Sequence, residues 1–393
     1  MGRLRVLQAL HDNVHTSRTQ LVKLTGLSRA TVSALVADLI AAGLVHEDTA
    51  AAELETRPTT GRPAQPLSLD PRAAYAIGAD IGHQHIRVML CDLFGAPVWD
   101  TVVAQDVDRT PHETLHLVAG LIDRALTEQG VPLERVLGLG AGIASPVDKT
   151  TGALGAEGIL PGWTGVRPGN ELEQLTGLPV RLMNDADAGA LAERLYGAGR
   201  NSNDMVYVRL SAGIGAGLVA GGALLSGSRG LVGEIGHLPA AAEGRICRCG
   251  NRGCLETIAS PVAVARLLAE SWGEPVAPAD LPRLLAEGNK GAIRAVEDAG
   301  EAIGRALAVL VTLLNPDLVV VGGDLAMAGE VLFAPLRRAI SRDTLPSAAQ
   351  GVTVVSGALG ERAEALGAAG GVLTRAPQHL ANMTSSDPPA SAS

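Results

Sequence analysis

No stretch of this 393-residue chain is apolar for long enough to cross a bilayer. The longest apolar run in its C-terminal half, residues 306–314, falls well short of the roughly 20 residues that a spanning helix needs. The N-terminus has no apolar region of the signal type, so a cytoplasmic protein with no membrane partner is the expectation. Cysteine is scarce, with four residues, and implies no disulfide framework. One of them, Cys91, stands alone in an apolar strand-like run and reads as core. There is no excess of positive charge: a net charge of -9 and a pI near 5.5 argue against a polyanion-binding protein taken as a whole. The charge is uneven, however. Residues 1–46 hold Arg3, Arg5, Arg18, Lys23 and Arg29 against Asp12 and Asp38, which leaves +3 there and -12 on the remainder. A local basic module on an acidic body follows, in a chain long enough for two or three domains.

The other three cysteines fall together. Residues 233–256 read GEIGHLPAAAEGRICRCGNRGCLE, with Cys247, Cys249 and Cys254 in a Gly-, Arg- and Asn-rich run and His237 ten residues before the first. Zinc takes thiolates and imidazole tetrahedrally, and one His with three Cys is a closed structural set with no position for a catalytic water. The alternative is three ordinary reduced cysteines, although C-x-C and C-x4-C within eight residues favour metal. A metal on one ring nitrogen of His237 would orient the other toward a further partner. Glu234 and Glu256 flank the loop, so folding it around a metal gathers two carboxylates and an imidazole, an arrangement suited to a polyol.

The first seventy residues read as helices. Leu4, Val6, Leu7 and Leu10 give an amphipathic helix, and Ser17–Gln20 is a capping-box start for a second ending at Gly26. A third opens at Ser28, places Val32, Leu35, Leu39 and Ile40 at helical spacing, and closes at Gly43. The turn Thr25-Gly26-Leu27, followed by Ser28, Arg29, Thr31 and Ser33, suits a recognition helix in a major groove. Strands at 44–47 and 64–69 would then form a wing whose tip carries Gly61-Arg62-Pro63, and an extended Arg62 suits a narrow minor groove. The alternative is a purely structural three-helix bundle.

From Tyr75 the texture becomes Gly-punctuated apolar strands. Strands are expected at 75–81, 86–91, 96–103, 136–143 and 180–183, with a helix at 111–129. Further strands at 205–210, 216–221 and 318–321, and a helix from about 292 to 314, repeat the pattern. Two such halves suggest two α/β lobes around a ligand cleft. Asp80-Ile-Gly82, the run 211–217 and Val321-Gly-Gly-Asp324 each follow a strand, where backbone N–H groups can cradle phosphate; each also reads as a plain turn. Asn184 and Asp185 lie at a strand end, where open α/β sheets put ligand groups, and Asp185 also reads as a helix cap.

These residues together resemble the ROK family, the bacterial sugar-responsive repressors and sugar kinases on the actin-like, hexokinase-type fold. The most specific part is Glu234-Ile-Gly-His237 with Cys247-Arg-Cys249-Gly-Asn-Arg-Gly-Cys254-Leu-Glu256. The resemblance implies structural zinc on His237, Cys247, Cys249 and Cys254, and sugar held by Asn184, Asp185, Glu234, His237 and Glu256. Asp185 would be the catalytic base in the kinases, which lack the N-terminal helices. Three departures stand out. Where kinases read Asp-x-Gly-Gly-Thr, this chain has Asp80-Ile-Gly82-His83-Gln84; where they read Gly-Thr-Gly, it has Ser211-Ala212-Gly213; and Ile159 replaces a sugar-contacting Asn. Weakened phosphate contacts harm turnover more than sugar binding, so ATP is not an expected cofactor.

The expected fold is α/β: a winged helix-turn-helix over 1–72, then a two-lobed actin-like body over 73–375. The small lobe takes about 73–183 plus 359–375 and the large lobe about 184–358, with a disordered tail at 376–393. The expected function is a sugar-responsive, operator-binding transcriptional regulator, a homodimer or homotetramer with a sugar or sugar-phosphate effector. The alternatives are an ATP-dependent sugar kinase carrying a DNA-binding module, and a zinc loop that is only a structural clip.

Overall fold

A computed structural model describes residues 1–13, 15–47, 65–155 and 158–382. The chain opens with helix Gly2–Asp12, followed by the short strand β1 (Thr16–Ser17) and helix Arg18–Thr25. The predicted capping box is present: the Ser17 hydroxyl accepts from Gln20 N–H, and the Gln20 side chain accepts from Ser17 N–H. Gly26 ends this helix at φ 68°, a left-handed conformation that glycine adopts without penalty. Helix Arg29–Ala41 starts from Ser28 after a bend of 115°, within the range of a helix-turn-helix. Its core stripe is Val32, Val36 and Leu39, all fully buried. Leu35 is partly buried and packs against the same core, whereas Ile40 is 36% exposed, which corrects the predicted face at that one position. Positions 32, 36 and 39 form one i, i+4, i+7 stripe, and Ile40 lies roughly 70° from its centre. β2 (Val45–Glu47) and β3 (Pro66–Leu69) pair antiparallel, giving the order β1-β3-β2. The wing tip with Arg62 lies outside the described residues.

The body contains two five-stranded sheets with the same connectivity. The first uses β4 (Tyr75–Ile81), β5 (His85–Asp92), β6 (Pro97–Ala104), β7 (Val136–Ile143) and β8 (Val180–Asn184), ordered β6-β5-β4-β7-β8. The second uses β9 (Met205–Leu210), β10 (Ile214–Ala220), β11 (Ala223–Leu224), β12 (Leu318–Gly322) and β13 (Thr353–Ser356), ordered β11-β10-β9-β12-β13. In each, an antiparallel meander is extended by parallel strands reached through helical crossovers. β13 was not anticipated: four residues, with one deeply buried, carry little periodic signal.

Helices Asp185–Tyr196 and Ala363–Leu373 lie together between the sheets and pack backbone to backbone. A Cβ on Gly367 would lie 1.7 Å from the Ala188 carbonyl oxygen, and one on Gly78 would lie 1.9 Å from that of Ala365. These close approaches fix helix Ala363–Leu373 on the small-lobe sheet and on its partner helix at once.

The C-terminus departs from expectation. Residues 376–382, read as the start of a tail, form helix Ala376–Asn382 with Ala376 and Leu380 fully buried. It packs on helix Gly2–Asp12, and one continuous core joins Val6, Leu7 and Leu10 to Leu366, Leu373 and Leu380. The sequence is polar beyond it, and three apolar contacts in a seven-residue helix are too few to announce themselves by periodicity. The helix-turn-helix module is therefore seated on the small lobe rather than tethered to it. Leu380→Ala is expected to cost about 2–5 kcal/mol. Urea melts should report it, and faster proteolysis should appear first in residues 2–12.

Candidate functional site

The cysteine loop lies against the second sheet. Gly233 and Ala216 share a backbone hydrogen bond of 2.8 Å, and a Cβ on Gly236 would lie 2.2 Å from the Ile214 carbonyl oxygen. Isolated bridges between Pro239 and Cys254 and between Ile246 and Arg252 close the loop on itself. His237 ends the short helical turn Ile235–His237. One donor atom from each of His237, Cys247, Cys249 and Cys254 lies within 4.8 Å of every other. His237 Nδ1 is 3.6 Å from Cys247 Sγ, and Cys249 Sγ is 3.7 Å from Cys254 Sγ. A zinc tetrahedron with ordinary bond lengths has S–N edges of about 3.5 Å and S–S edges of about 3.8 Å. The four residues therefore fit that ion.

The other face of the His237 ring turns toward carboxylates: Nε2 is 3.8 Å from Glu234 Oε2. Glu256, two residues past Cys254, starts the helical turn Glu256–Ala259, and its Oε2 accepts from Ile214 N–H at 3.3 Å. A Cβ on Gly213 would lie 2.5 Å from that oxygen. Asn184 ends β8 and caps helix Asp185–Tyr196, accepting from Ala186 N–H at 2.8 Å while its amide donates to the Ser145 carbonyl at 3.2 Å. The cap predicted as an alternative for Asp185 thus belongs to Asn184. Asp185 is buried; its Oδ1 accepts from Ala186 N–H at 2.8 Å and its Oδ2 pairs with Arg209 at 3.0 Å.

The acidic groups at this site feel one another. Burial, then the charges of Asp185, Asp187 and Glu256, push Glu234 up to about 7. Burial and the Asp185 charge push Asp187 up to about 7 as well. Burial also raises Asp185, against the pull of Arg209. The two loops that depart from the kinase pattern are engaged internally. Asp80 is held by His85 at 2.8 Å, and Ile214 N–H at the second loop is occupied by Glu256. Ile159 is a buried member of the small-lobe core, packed with Leu160 and Trp163, and offers the site no polar group.

Several contributors were not predicted. Arg248, between two of the cysteines, places Nε 3.2 Å from Glu256 Oε1 and Nη1 3.5 Å from His83 Nε2 on the small lobe. His83 Nδ1 in turn meets Asp108 Oδ1 at 2.6 Å. Arg229 joins Asp148 across the same gap at 2.6 Å. Arg209 was legible in principle, as the one charge in the apolar strand Met205–Leu210. Ser28, Arg29, Thr31 and Ser33 are all exposed on the helix-turn-helix; the Ser28 and Thr31 hydroxyls lie 2.8 Å apart at the helix start.

A family model for ROK matches residues 76–374, and one for the MarR family matches residues 2–52. The chain belongs to the ROK family. It is 28% identical over 380 residues to the xylose repressor of Caldicellulosiruptor bescii, covering 93% of this chain and 94% of that protein. It is 30% identical over 369 residues to the DNA-binding transcriptional repressor Mlc of Escherichia coli, covering 90% and 88%. The crystal structure of a ROK family transcriptional regulator, a homologue of the Escherichia coli MLC protein, superposes with a TM-score of 0.78 at 26% identity over 97% of both chains. The expected architecture, a helix-turn-helix ahead of a ROK body of actin-like type, is the one observed.

Asp187 gives a pH prediction specific to this site. Its Oδ1 is buried without a partner among the described residues. Because its folded pKa of about 7 exceeds the 3.8 of an ordinary aspartate, the folded chain binds more protons in that window and loses stability as pH rises through it. Asp187→Asn should raise the melting temperature above about pH 7, by an equivalent of at most about 4 kcal/mol. The gain should vanish near pH 4, and melts across this range by circular dichroism check it.

Proposed function

We propose that this ROK protein is a sugar-responsive, DNA-binding transcriptional repressor of carbohydrate genes. The observation that carries the reading is the seating of a helix-turn-helix on a body whose cleft gathers an imidazole and carboxylates around one metal-binding turn. Asn184, Asp185, Glu234, His237 and Glu256 would hold the sugar. Ionised carboxylates accept from hydroxyls, and His237 Nε2 and the Asn184 amide supply the remaining polar contacts. Zinc on His237, Cys247, Cys249 and Cys254 would be structural: it holds the turn closed and fixes which nitrogen of His237 faces Glu234. On the DNA side, Ser28, Arg29, Thr31 and Ser33 would face base edges from the recognition helix, and Arg62 would enter the minor groove.

A repressor of this kind acts on a two-fold operator, so the reading includes a homodimer or homotetramer in the cytoplasm. The sugar or sugar phosphate works by binding one arrangement of the lobes better than another, with a coupling of about 1–3 kcal/mol. The kinase alternative is favoured by the presence of Asp185. It is opposed by the Arg209 ion pair on that carboxylate and by the engagement of both phosphate-type loops within the protein. ATP has no assigned role in this reading.

Titrating a fluorescent operator with and without a panel of monosaccharides and their phosphates should reveal at least one that shifts the affinity, by about 5- to 150-fold. Identical curves across the panel would sink the sensor. In a coupled ADP-release assay the purified protein should show no sugar-dependent turnover; turnover abolished by Asp185→Asn would install the kinase reading instead.

A further inference from the structure

A buried ionic cluster lies beside the cleft and uses residues far apart in the chain. Arg209 on β9 pairs with Asp185 Oδ2 at 3.0 Å and donates from Nε to Glu364 Oε1 at 2.9 Å. The Tyr207 hydroxyl donates to the same Glu364 oxygen at 3.0 Å. Asp185, Tyr207, Arg209 and Glu364 are each less than a tenth exposed. The Tyr207 ring is wedged in place: a Cβ on Gly189 would come within 2.3 Å of it and one on Gly322 within 2.8 Å. A buried guanidinium with two carboxylates cannot relax into solvent, so a change at one carboxylate is answered at the other.

Glu364 stands in the first turn of helix Ala363–Leu373, whose backbone is fitted against helix Asp185–Tyr196 and both central strands of the small lobe. Helix Ala376–Asn382 follows after Thr374 and Arg375, and packs on the first helix of the DNA-reading module. The geometry points to Arg209 and Glu364 as positioning residues that couple occupancy of the carbohydrate site to the helix-turn-helix through the C-terminal helix pair. The inference rests on the assignment of Asp185 as a sugar contact. Both oxygens of Asp185 are already engaged. A sugar hydroxyl donating to this carboxylate competes with Arg209, and the guanidinium shifts its hold toward Glu364.

Hydrogen exchange on the full-length protein tests this without knowledge of the effector. Asp185→Asn, Glu364→Gln and Tyr207→Phe should each change amide exchange in Gly2–Asp12 and Ala376–Asn382 by about fivefold, the lower end of usual coupling between sites. Tyr207→Phe removes a single hydroxyl and keeps the test valid if Glu364→Gln does not fold. Adding Asp185→Asn to Glu364→Gln should produce no further change in the two helices. Wild-type exchange there in all three single variants overturns the inference. Operator titrations of the wild type with D-glucose and D-xylose as probes separate the two claims. Transmission into the head with operator binding indifferent to both sugars leaves the coupling standing and counts against the effector assignment. Sugar-sensitive operator binding without transmission in the variants removes the coupling alone.

Discussion

Four donor atoms at the spacing of a zinc tetrahedron set the geometry on which the site depends. His237 contributes one nitrogen to that cluster and turns the other toward Glu234, while Cys254 places Glu256 two residues further on. A loop rich in Gly, Arg and Asn has little apolar surface of its own to bury. A metal held by these four residues would supply the missing constraint, because thiolates and imidazole held at fixed distances order the backbone between them. The loop is laid on β10 through Gly233 and Gly236, which let backbone approach backbone, so the carboxylates are positioned against the sheet and not on a free excursion.

The second constraint is the concentration of acidic side chains around helix Asp185–Tyr196. Asp185, Asp187, Glu234 and Glu256 face only a few cations, chiefly Arg209 and Arg248, and burial raises three of the four carboxyls. Arg209 answers from inside the large-lobe sheet and Arg248 from the cysteine loop. Each arginine also reaches beyond the site, Arg209 to Glu364 and Arg248 to His83 on the opposite lobe. Charge balance at the cleft is therefore tied to the relative placement of the lobes, a property a two-state sensor requires.

Much of this was legible in the sequence, for physical reasons that differ by element. The capping box at Ser17 and Gln20, the left-handed Gly26 and the long apolar strands are local signals, legible because neighbouring residues decide them. The cysteine spacing was equally local. Long-range partnerships were not: Glu364 is 155 residues from Arg209, and nothing in either neighbourhood announces the other. Arg209 could have been flagged as a charge in a buried strand, and Arg248 was hidden by the cysteines around it. Helix Ala376–Asn382 was lost because its stability comes from the head it packs on, and propensity alone gives a seven-residue helix almost none. The one misplaced position of helix Arg29–Ala41 has the same origin, since Ile40 is apolar but lies off the stripe that meets the core, whereas Leu35 packs against it.

The account stands or falls on whether the metal-binding turn presents its imidazole and carboxylates to a carbohydrate. Diffraction at the zinc absorption edge, from crystals soaked in whichever monosaccharide raises the melting temperature, tests this most directly. The expected result is an anomalous peak among His237 Nδ1 and the three cysteine sulfurs, with sugar hydroxyls on Asp185, Glu234 and Glu256. No peak at that position, or a sugar bound away from these carboxylates, would contradict it.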